Sequence, residues 1–273
     1  MTSLPLKVIL LSRGWSRRYP GDKALAPTSS GGAPLLARLV SQLRRTGAPV
    51  NIILYTLLPS KCGEYRRVAP IECLPDPPEA RDRGPGALIW SALRKWGPPL
   101  LALPIDLPEF TLEALHPLLT GKATHPTNAC PRIMATGDRL QVLIQYHPRF
   151  FTREEEQAAK YLAQLPRPMR ATDLIRASRC VEIVTAPPHL WRHYCHLQSP
   201  GAAQCPGAPS PSLAPLVAPG LASIISGQGL GRGTLLKEAR IWASLGLSLL
   251  AQHAVKDAGL AGTQVFSRGR QDS

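Results

Sequence analysis

The sequence predicts an α/β protein of three layers, α/β/α, built on a mostly parallel sheet. Two observations carry that prediction. Short apolar runs ended by turn residues alternate with stretches of helical periodicity, the order that builds parallel strands through right-handed crossovers. The runs at 6–11, 50–54 and 100–105 are apolar at nearly every position, with Lys7 and Asn51 as the polar exceptions, rather than alternating, as strands covered on both faces are. A third observation points to function. Polar residues come after three strand ends, beyond Leu11, at Asp76 and at Asp106, and sheets of this class bind ligands beyond the carboxyl ends of their strands.

In order, residues 6–11 form the first strand. Pro34 to Arg45 is expected as a helix, because Leu35, Leu36, Leu39, Val40 and Leu43 keep helical spacing, Pro34 suits a first turn and Gly47 comes just past the end. Val50 to Leu54 is the next strand, and Val68 to Cys73 a third, short one. A helix from Ala87 to Trp96 comes after the turn Gly84-Pro85-Gly86, and residues 100–105 form a further strand. Thr111 is expected to cap a helix running through Leu119. Leu140 to Tyr146 reads as a strand, and Thr152-Arg153-Glu154-Glu155 as a capping-box start to a helix through Leu165. A helix at Ala171 to Ala177 precedes a strand at Cys180 to Thr185. Pro187 to Gly220, rich in Pro, Gly, Ala and Ser, reads as a linker or long surface loop. Thr234 to Asp257 is expected as one amphipathic helix that docks on the sheet. The implied division is a domain at 1–200, a linker or loop at 201–233 and a helical extension at 234–273.

The 273 residues carry a formal net charge of +14, from 32 basic and 18 acidic residues, and 24 of the basic residues are arginine. Such a balance favours anionic ligands, or is a thinly spread surface excess. No block of consecutive Lys and Arg suggests a nucleic-acid tail, and no apolar stretch has the length of a membrane span. Six cysteines (62, 73, 130, 180, 195 and 205) are scattered without a Cys-x-x-Cys pair. They are expected as reduced thiols of a cytoplasmic protein. His189, His193 and His196 beside Cys195 and Cys205 match no standard zinc spacing. Trp90 and Trp96, and Tyr65 with Arg66 and Arg67, are expected as core and solvated edge.

Residues 11–23, Leu-Ser-Arg-Gly-Trp-Ser-Arg-Arg-Tyr-Pro-Gly-Asp-Lys, come directly after the first strand. A glycine at the turn (Gly14), a hydroxyl (Ser16), three arginines (Arg13, Arg17, Arg18) and Lys23 make a polyphosphate cradle. Backbone N–H groups there face an anion and cationic side chains close around it. Asp106, past a buried strand and before Pro108, is placed to hold Mg²⁺, which takes hard oxygen ligands. Its alternative is a turn or helix N-terminal aspartate. Asp76 reads equally as a site residue or as an Asx turn among prolines.

The stretch resembles the signature L-A-G-G-x-S-x-R-M-G-x-D-K of the molybdenum cofactor guanylyltransferases, the molybdopterin-guanine dinucleotide biosynthesis protein A-like nucleotidyltransferases. Leu11, Gly14, Ser16, Arg18, Asp22 and Lys23 match in register. Arg13 stands in place of the first glycine, and Tyr19 and Pro20 where Met-Gly is usual. Further on, Leu103-Pro104-Ile105-Asp106-Leu107-Pro108 is similar to that family's metal-binding x-P-x-D-x-P segment. Asp76 matches its second acidic position, Gly84 to Leu88 loosely its G-P-L-A-G segment, and residues 196–200 its closing N-x-N-T-P.

The resemblance implies a Rossmann-like nucleotidyltransferase (GT-A-like) fold and the Mg²⁺-dependent transfer of GMP from GTP to molybdopterin, with release of pyrophosphate. It implies Arg18, Lys23 and Asp106 as catalytic residues and Leu11, Ser12, Arg13, Gly14, Ser16 and Asp76 as nucleotide contacts. Asp106 is the metal ligand it implies, with Asp76 as a candidate helper. A molybdoenzyme or its chaperone is a further implied partner, and the chain is expected as monomer or homodimer. No asparagine stands near Tyr55-Thr56, the place tied to guanine recognition, so CTP or another phosphate acceptor stays open. So does a non-catalytic cofactor-binding paralogue.

Overall fold

The computed structural model describes residues 5–12, 21–28, 32–47, 49–120, 130–136, 139–146, 152–199, 202–204, 216–225 and 230–268. The elements run β1 (Leu6–Leu11), α1 (Leu35–Arg44), β2 (Val50–Thr56), α2 (Cys62–Val68), β3 (Glu72–Pro75), α3 (Pro85–Trp96), β4 (Leu100–Pro104) and α4 (Leu112–Thr120). They continue with β5 (Arg132–Thr136), β6 (Arg139–Tyr146), α5 (Arg153–Gln164), α6 (Ala171–Ala177), β7 (Cys180–Thr185) and β8 (His196–Ser199). β9 (Ala202–Gln204), β10 (Leu216–Pro219), α7 (Leu221–Ile224), α8 (Arg232–Ser244) and α9 (Ser248–Arg268) complete the chain.

Eight strands form one mixed sheet in the order β10-β7-β5-β6-β4-β1-β2-β3, while β8 and β9 pair as a separate ribbon. β1 lies between β2 and β4, parallel to both. Val8, Ile9 and Leu10 are wholly buried and alternate between two cores. Ile9 packs on one face with residues of α3, α5 and α6. Val8 and Leu10 pack on the other with α1, α2 and α4. This is the three-layer arrangement that strands apolar on both faces require.

Most of the helices and strands read from the sequence are present, and the departures have physical causes. β6 runs antiparallel to both β4 and β5. Two residues separate β5 from β6, and so short a connection allows only a hairpin. β5 itself escapes periodicity because Arg132 and Thr136, at its ends, are polar yet buried. Arg132 Nε donates to Glu182 Oε2 on β7 at 2.7 Å. The strand expected at Val68 to Cys73 starts at Glu72, and Val68 instead ends α2. The Thr111 hydroxyl caps nothing among the described residues. The Leu112 N–H instead donates to Gln42 Oε1 at 3.2 Å. The capping box at α5 is formed as read, with Thr152 and Glu155 satisfying each other's backbone.

Gly84 and Gly86 serve packing. A Cβ on Gly86 would lie 2.1 Å from the Arg170 carbonyl oxygen, and Gly84, at φ 89°, has the Met169 carbonyl as close. Gly86 N–H donates to that Met169 carbonyl at 3.0 Å, so the start of α3 rests directly on the backbone before α6.

The stretch 187–220 carries more than a loop. A 3-10 helix at Pro188–Tyr194 leads into β8 and β9, and β10 adds antiparallel to β7. The helix expected at 234–257 is two, α8 and α9, broken at Gly246 with φ 74°. It docks as expected: Leu235, Trp242, Leu247 and Leu250 share a core with Ile133 and Val181 of the sheet. Under that core, Arg176 is fully buried and donates to Glu238 at 2.7 and 2.8 Å and to Asp257 at 2.5 Å. Arg167 bridges Asp173 and Asp257, each at 2.5 Å. Three arginines, Arg167, Arg170 and Arg176, thus meet three carboxylates, and a balanced buried network ties α6 to both C-terminal helices.

The cysteines correct the sequence reading. Cys62 is bonded to Cys73 and Cys130 to Cys180, and Cys195 is disulfide-bonded as well. Disulfides persist in oxidising compartments and in the intracellular proteins of hyperthermophiles. The expectation of a reducing cytoplasm, which rested on free thiols, therefore loses its ground. Among the described residues no helix is long and apolar enough to cross a membrane.

Candidate active site

The parallel registers bring Leu11, Tyr55 and Pro104 side by side where β1, β2 and β4 end. The residues beyond each strand are therefore delivered to one mouth of the sheet. After β1, Ser12 is 3% exposed. Arg13, Gly14, Ser16 and Arg18, with Arg17, Tyr19 and Pro20, lie outside the described residues. The chain is described again from Gly21, ahead of a 3-10 turn at Lys23–Leu25.

Asp22 organises that turn. Its Oδ1 accepts from the Ala24 N–H at 2.9 Å, an N-cap contact. Its Oδ2 accepts from the Tyr65 hydroxyl at 2.5 Å and from Lys61 Nζ at 3.2 Å. Burial, then the hydrogen bond and charge of Asp22, push the Tyr65 phenol far above its ordinary pKa. The solvated edge expected here holds for Arg66 and Arg67, while Tyr65 is core.

Held from behind in this way, Lys23 reaches across β1. Its Nζ donates to Asp106 Oδ2 at 2.9 Å, with both side chains largely buried. His196, at the start of β8, meets the other oxygen, its Nδ1 lying 3.0 Å from Asp106 Oδ1. An ionised carboxylate only accepts, so Nδ1–H is the donor. His196 Nε2 lies 3.3 Å from Gln141 Oε1, an acceptor, so this contact is a hydrogen bond when Nε2 carries a hydrogen as well as Nδ1, and Gln141 Nε2 donates to Thr136 Oγ1 at 2.6 Å. Burial by itself would raise the Asp106 pKa. The hydrogen bond and charge of His196, and then those of Lys23, outweigh it and keep the carboxyl below its ordinary range.

Sequence reasoning thus placed Lys23 and Asp106, and the fold brings them together. It met His196 as the first residue of the motif at 196–200 and as one of a histidine and cysteine group without zinc spacing, not as a partner of Asp106. Gln141 and Thr136 were missed. Thr136 ends β5, and Gln141 is one of several polar residues on β6, so neither stands out in the sequence.

Asp76, just past β3, is 3% exposed, and its N–H donates to the Thr56 carbonyl at 2.9 Å. β3 is three strands from β4 in the sheet order. At a strand spacing of about 4.8 Å, the backbones of Asp76 and Asp106 lie roughly 14 Å apart. Asp76 thus stands apart from Asp106, with β1 and β2 between their strands.

Among the described residues no three His, Cys, Asp or Glu side chains converge to hold a metal by themselves. Asp106 nonetheless fits Mg²⁺. It is a hard, ionised carboxylate at the sheet mouth, and Mg²⁺ commonly takes one such ligand together with substrate phosphate oxygens.

The fold is that of known nucleotidyltransferases. A nucleotidyl transferase from Methanothermobacter thermautotroptrophicus (Mth528) superposes with a TM-score of 0.52 at 14% identity, over 72% of this chain and 93% of that one. The bifunctional IspDF from Campylobacter jejuni gives 0.51 at 12% identity, over 72% of this chain and 52% of that one. A comparison with curated proteins finds no match. Residues 8–182, well over half of the sequence, match the family model of the MobA-like NTP transferase domain, and they contain the strands and Asp106 that make the sheet mouth just described. By that match the chain belongs to the family of MobA-like NTP transferase domains, a nucleotidyltransferase-like enzyme family.

Proposed function

We propose that the chain transfers GMP from GTP to molybdopterin and releases pyrophosphate. The observation that supports this most is the Lys23–Asp106 pair at 2.9 Å. It sets an ammonium that could take a phosphate beside a carboxylate that could take a metal, past the ends of β1 and β4. The triphosphate would lie over the segment from Leu11 to Lys23. Ser12, Arg13, Gly14 and Ser16 would line it, Asp76 would approach the nucleoside side, and Arg18 and Lys23 would neutralise phosphate charge.

Asp106 would hold Mg²⁺, which when bound offsets charge on the α-phosphate oxygens. The terminal phosphate of molybdopterin attacks the α-phosphorus while the bond to the β-phosphate oxygen breaks. A phosphate nucleophile is already ionised near neutral pH, so no side chain is needed as a general base. The protein's work is positioning and charge stabilisation.

CTP is the competing donor, on one observation. At the end of β2, where guanine recognition is expected, the Tyr55 hydroxyl accepts from Trp96 Nε1 at 2.9 Å within the core. The Thr56 hydroxyl accepts from the Leu58 N–H at 3.0 Å, and neither residue supplies an amide side chain to a guanine edge. Pyrophosphate release should be measured with GTP and with CTP, each with Mg²⁺ and molybdopterin. Faster release with GTP supports the assignment. Release with CTP alone transfers it to cytidylyl transfer, and release with neither overturns it.

A further inference from the structure

Asp106 has two differently held oxygens. Oδ1 faces His196, itself fixed from behind by Gln141 and Thr136, which are 6% and 1% exposed on β6 and β5. Oδ2 faces only the ammonium of Lys23 among the contacts described at Asp106. The first partner is a ring locked into the framework of the sheet. The second is a flexible four-carbon chain ending in a strongly hydrated point charge, which any phosphate competes for.

We propose that His196 is the positioning residue for Asp106. It fixes Oδ1 through the Thr136–Gln141–His196 relay, so that Asp106 offers a metal one oxygen, Oδ2. Lys23 covers Oδ2 until the phosphates of a nucleotide draw the lysine away. This rests on the reading of Asp106 as the metal ligand. Two consequences separate it from a merely structural histidine. Divalent metal binds weakly without nucleotide, because a cation already occupies the exchangeable oxygen. Metal affinity in the presence of nucleotide depends on a donor at the position of His196 Nδ1, since partners that orient a metal-binding carboxylate are typically worth about 10–100-fold in affinity.

The experiment is a Mn²⁺ titration of the full chain followed by electron paramagnetic resonance, with and without a non-hydrolysable analogue of the nucleotide that supports turnover. Thermal unfolding confirms that each variant folds. With analogue, His196→Ala is expected to weaken Mn²⁺ binding about tenfold or more. His196→Asn, whose Nδ2 can replace Nδ1, restores most of it, whereas His196→Gln, whose amide reaches toward Gln141, does not. Without analogue, Lys23→Met tightens Mn²⁺ binding over the wild type. Equal affinity of wild type and His196→Ala overturns the proposal, as does a His196→Asn variant no better than His196→Ala. If Asp106→Asn leaves Mn²⁺ binding intact, the assignment of Asp106 as metal ligand falls, and this proposal with it. Should Asp106→Asn abolish binding while the His196 series is flat, only the positioning role falls.

Discussion

Lys23 and Asp106 are 83 residues apart in the chain, and their side chains meet at 2.9 Å. The pair joins the segment after β1 to the segment after β4, the neighbouring strand. Burial would raise the pKa of Asp106, and Lys23, together with His196, outweighs it and keeps the carboxyl below its ordinary range. It is the point from which the chemistry of the site can be tested.

Asp106→Ala is expected to abolish Mg²⁺-dependent pyrophosphate release while leaving the thermal unfolding midpoint within a few degrees. Lys23→Met should lower turnover by roughly a hundredfold, the usual cost of removing one preorganised charge contact to a reacting centre. Steady-state kinetics beside thermal unfolding checks both. Unchanged turnover in Asp106→Ala would remove it from the site.

The buried network predicts a different response at Arg176. Arg176→Met leaves the fully buried Glu238 without its arginine and removes one of the three arginines that meet the equally buried Asp257. Breaking one side of a buried ion pair typically costs about 3–5 kcal/mol. Urea unfolding should show a loss of that size. Glu154→Ala, whose partner Arg179 is exposed, should leave the unfolding curve essentially where it is.

His253 sets an acid limb. Burial, then the charges of Arg170 and Arg176, lower its pKa from 6.5 to about 4, against the opposing charges of Asp173 and Asp257. The folded state therefore resists protonation that the unfolded chain accepts. Stability is full above pH 6.5, declines as pH falls toward about 4, and levels off below as far as this group is concerned. Asp257, whose folded pKa is lowered, adds stability that is lost only at still lower pH. The unfolding midpoint against pH should show the first decline in the wild type and a shallower one in His253→Gln.

Reducing the disulfides should destabilise the fold. Cys130 and Cys180 are separated by 50 residues and Cys62 and Cys73 by 11. By chain entropy the first bond contributes about 4 kcal/mol and the second about 3 kcal/mol. Non-reducing peptide mapping should recover both pairs, and dithiothreitol should lower the unfolding midpoint. Four titratable thiols at these positions in the denatured, unreduced protein would contradict the pairing.

Some elements were legible because local rules decide them. Leu6–Leu11 is apolar along nearly its whole length, Thr152 and Glu155 make a capping box, and Ala171–Ala177 and Cys180–Thr185 match the structure end to end. Others were not, because their polar residues are satisfied by distant partners. Arg132 is buried against Glu182, and Tyr65 sits in the core because Asp22 takes its hydroxyl. Neither pairing leaves a periodic trace.

The same division applies to the site and to the molecule. The chain order of apolar runs and turn residues was enough to determine a layered α/β sheet, and the resemblance of two short motifs pointed toward a nucleotidyltransferase and to Lys23 and Asp106 as residues of interest. That information is local, carried by residues within a few positions of one another. Only the tertiary structure decided that His196 and Lys23 share Asp106 between them, that Asp76 stands three strands away, that cysteines far apart pair, and that Arg176 locks the C-terminal helices to the sheet. Those outcomes depend on strand order, on register and on how the helices dock, which bring together residues far apart in the chain.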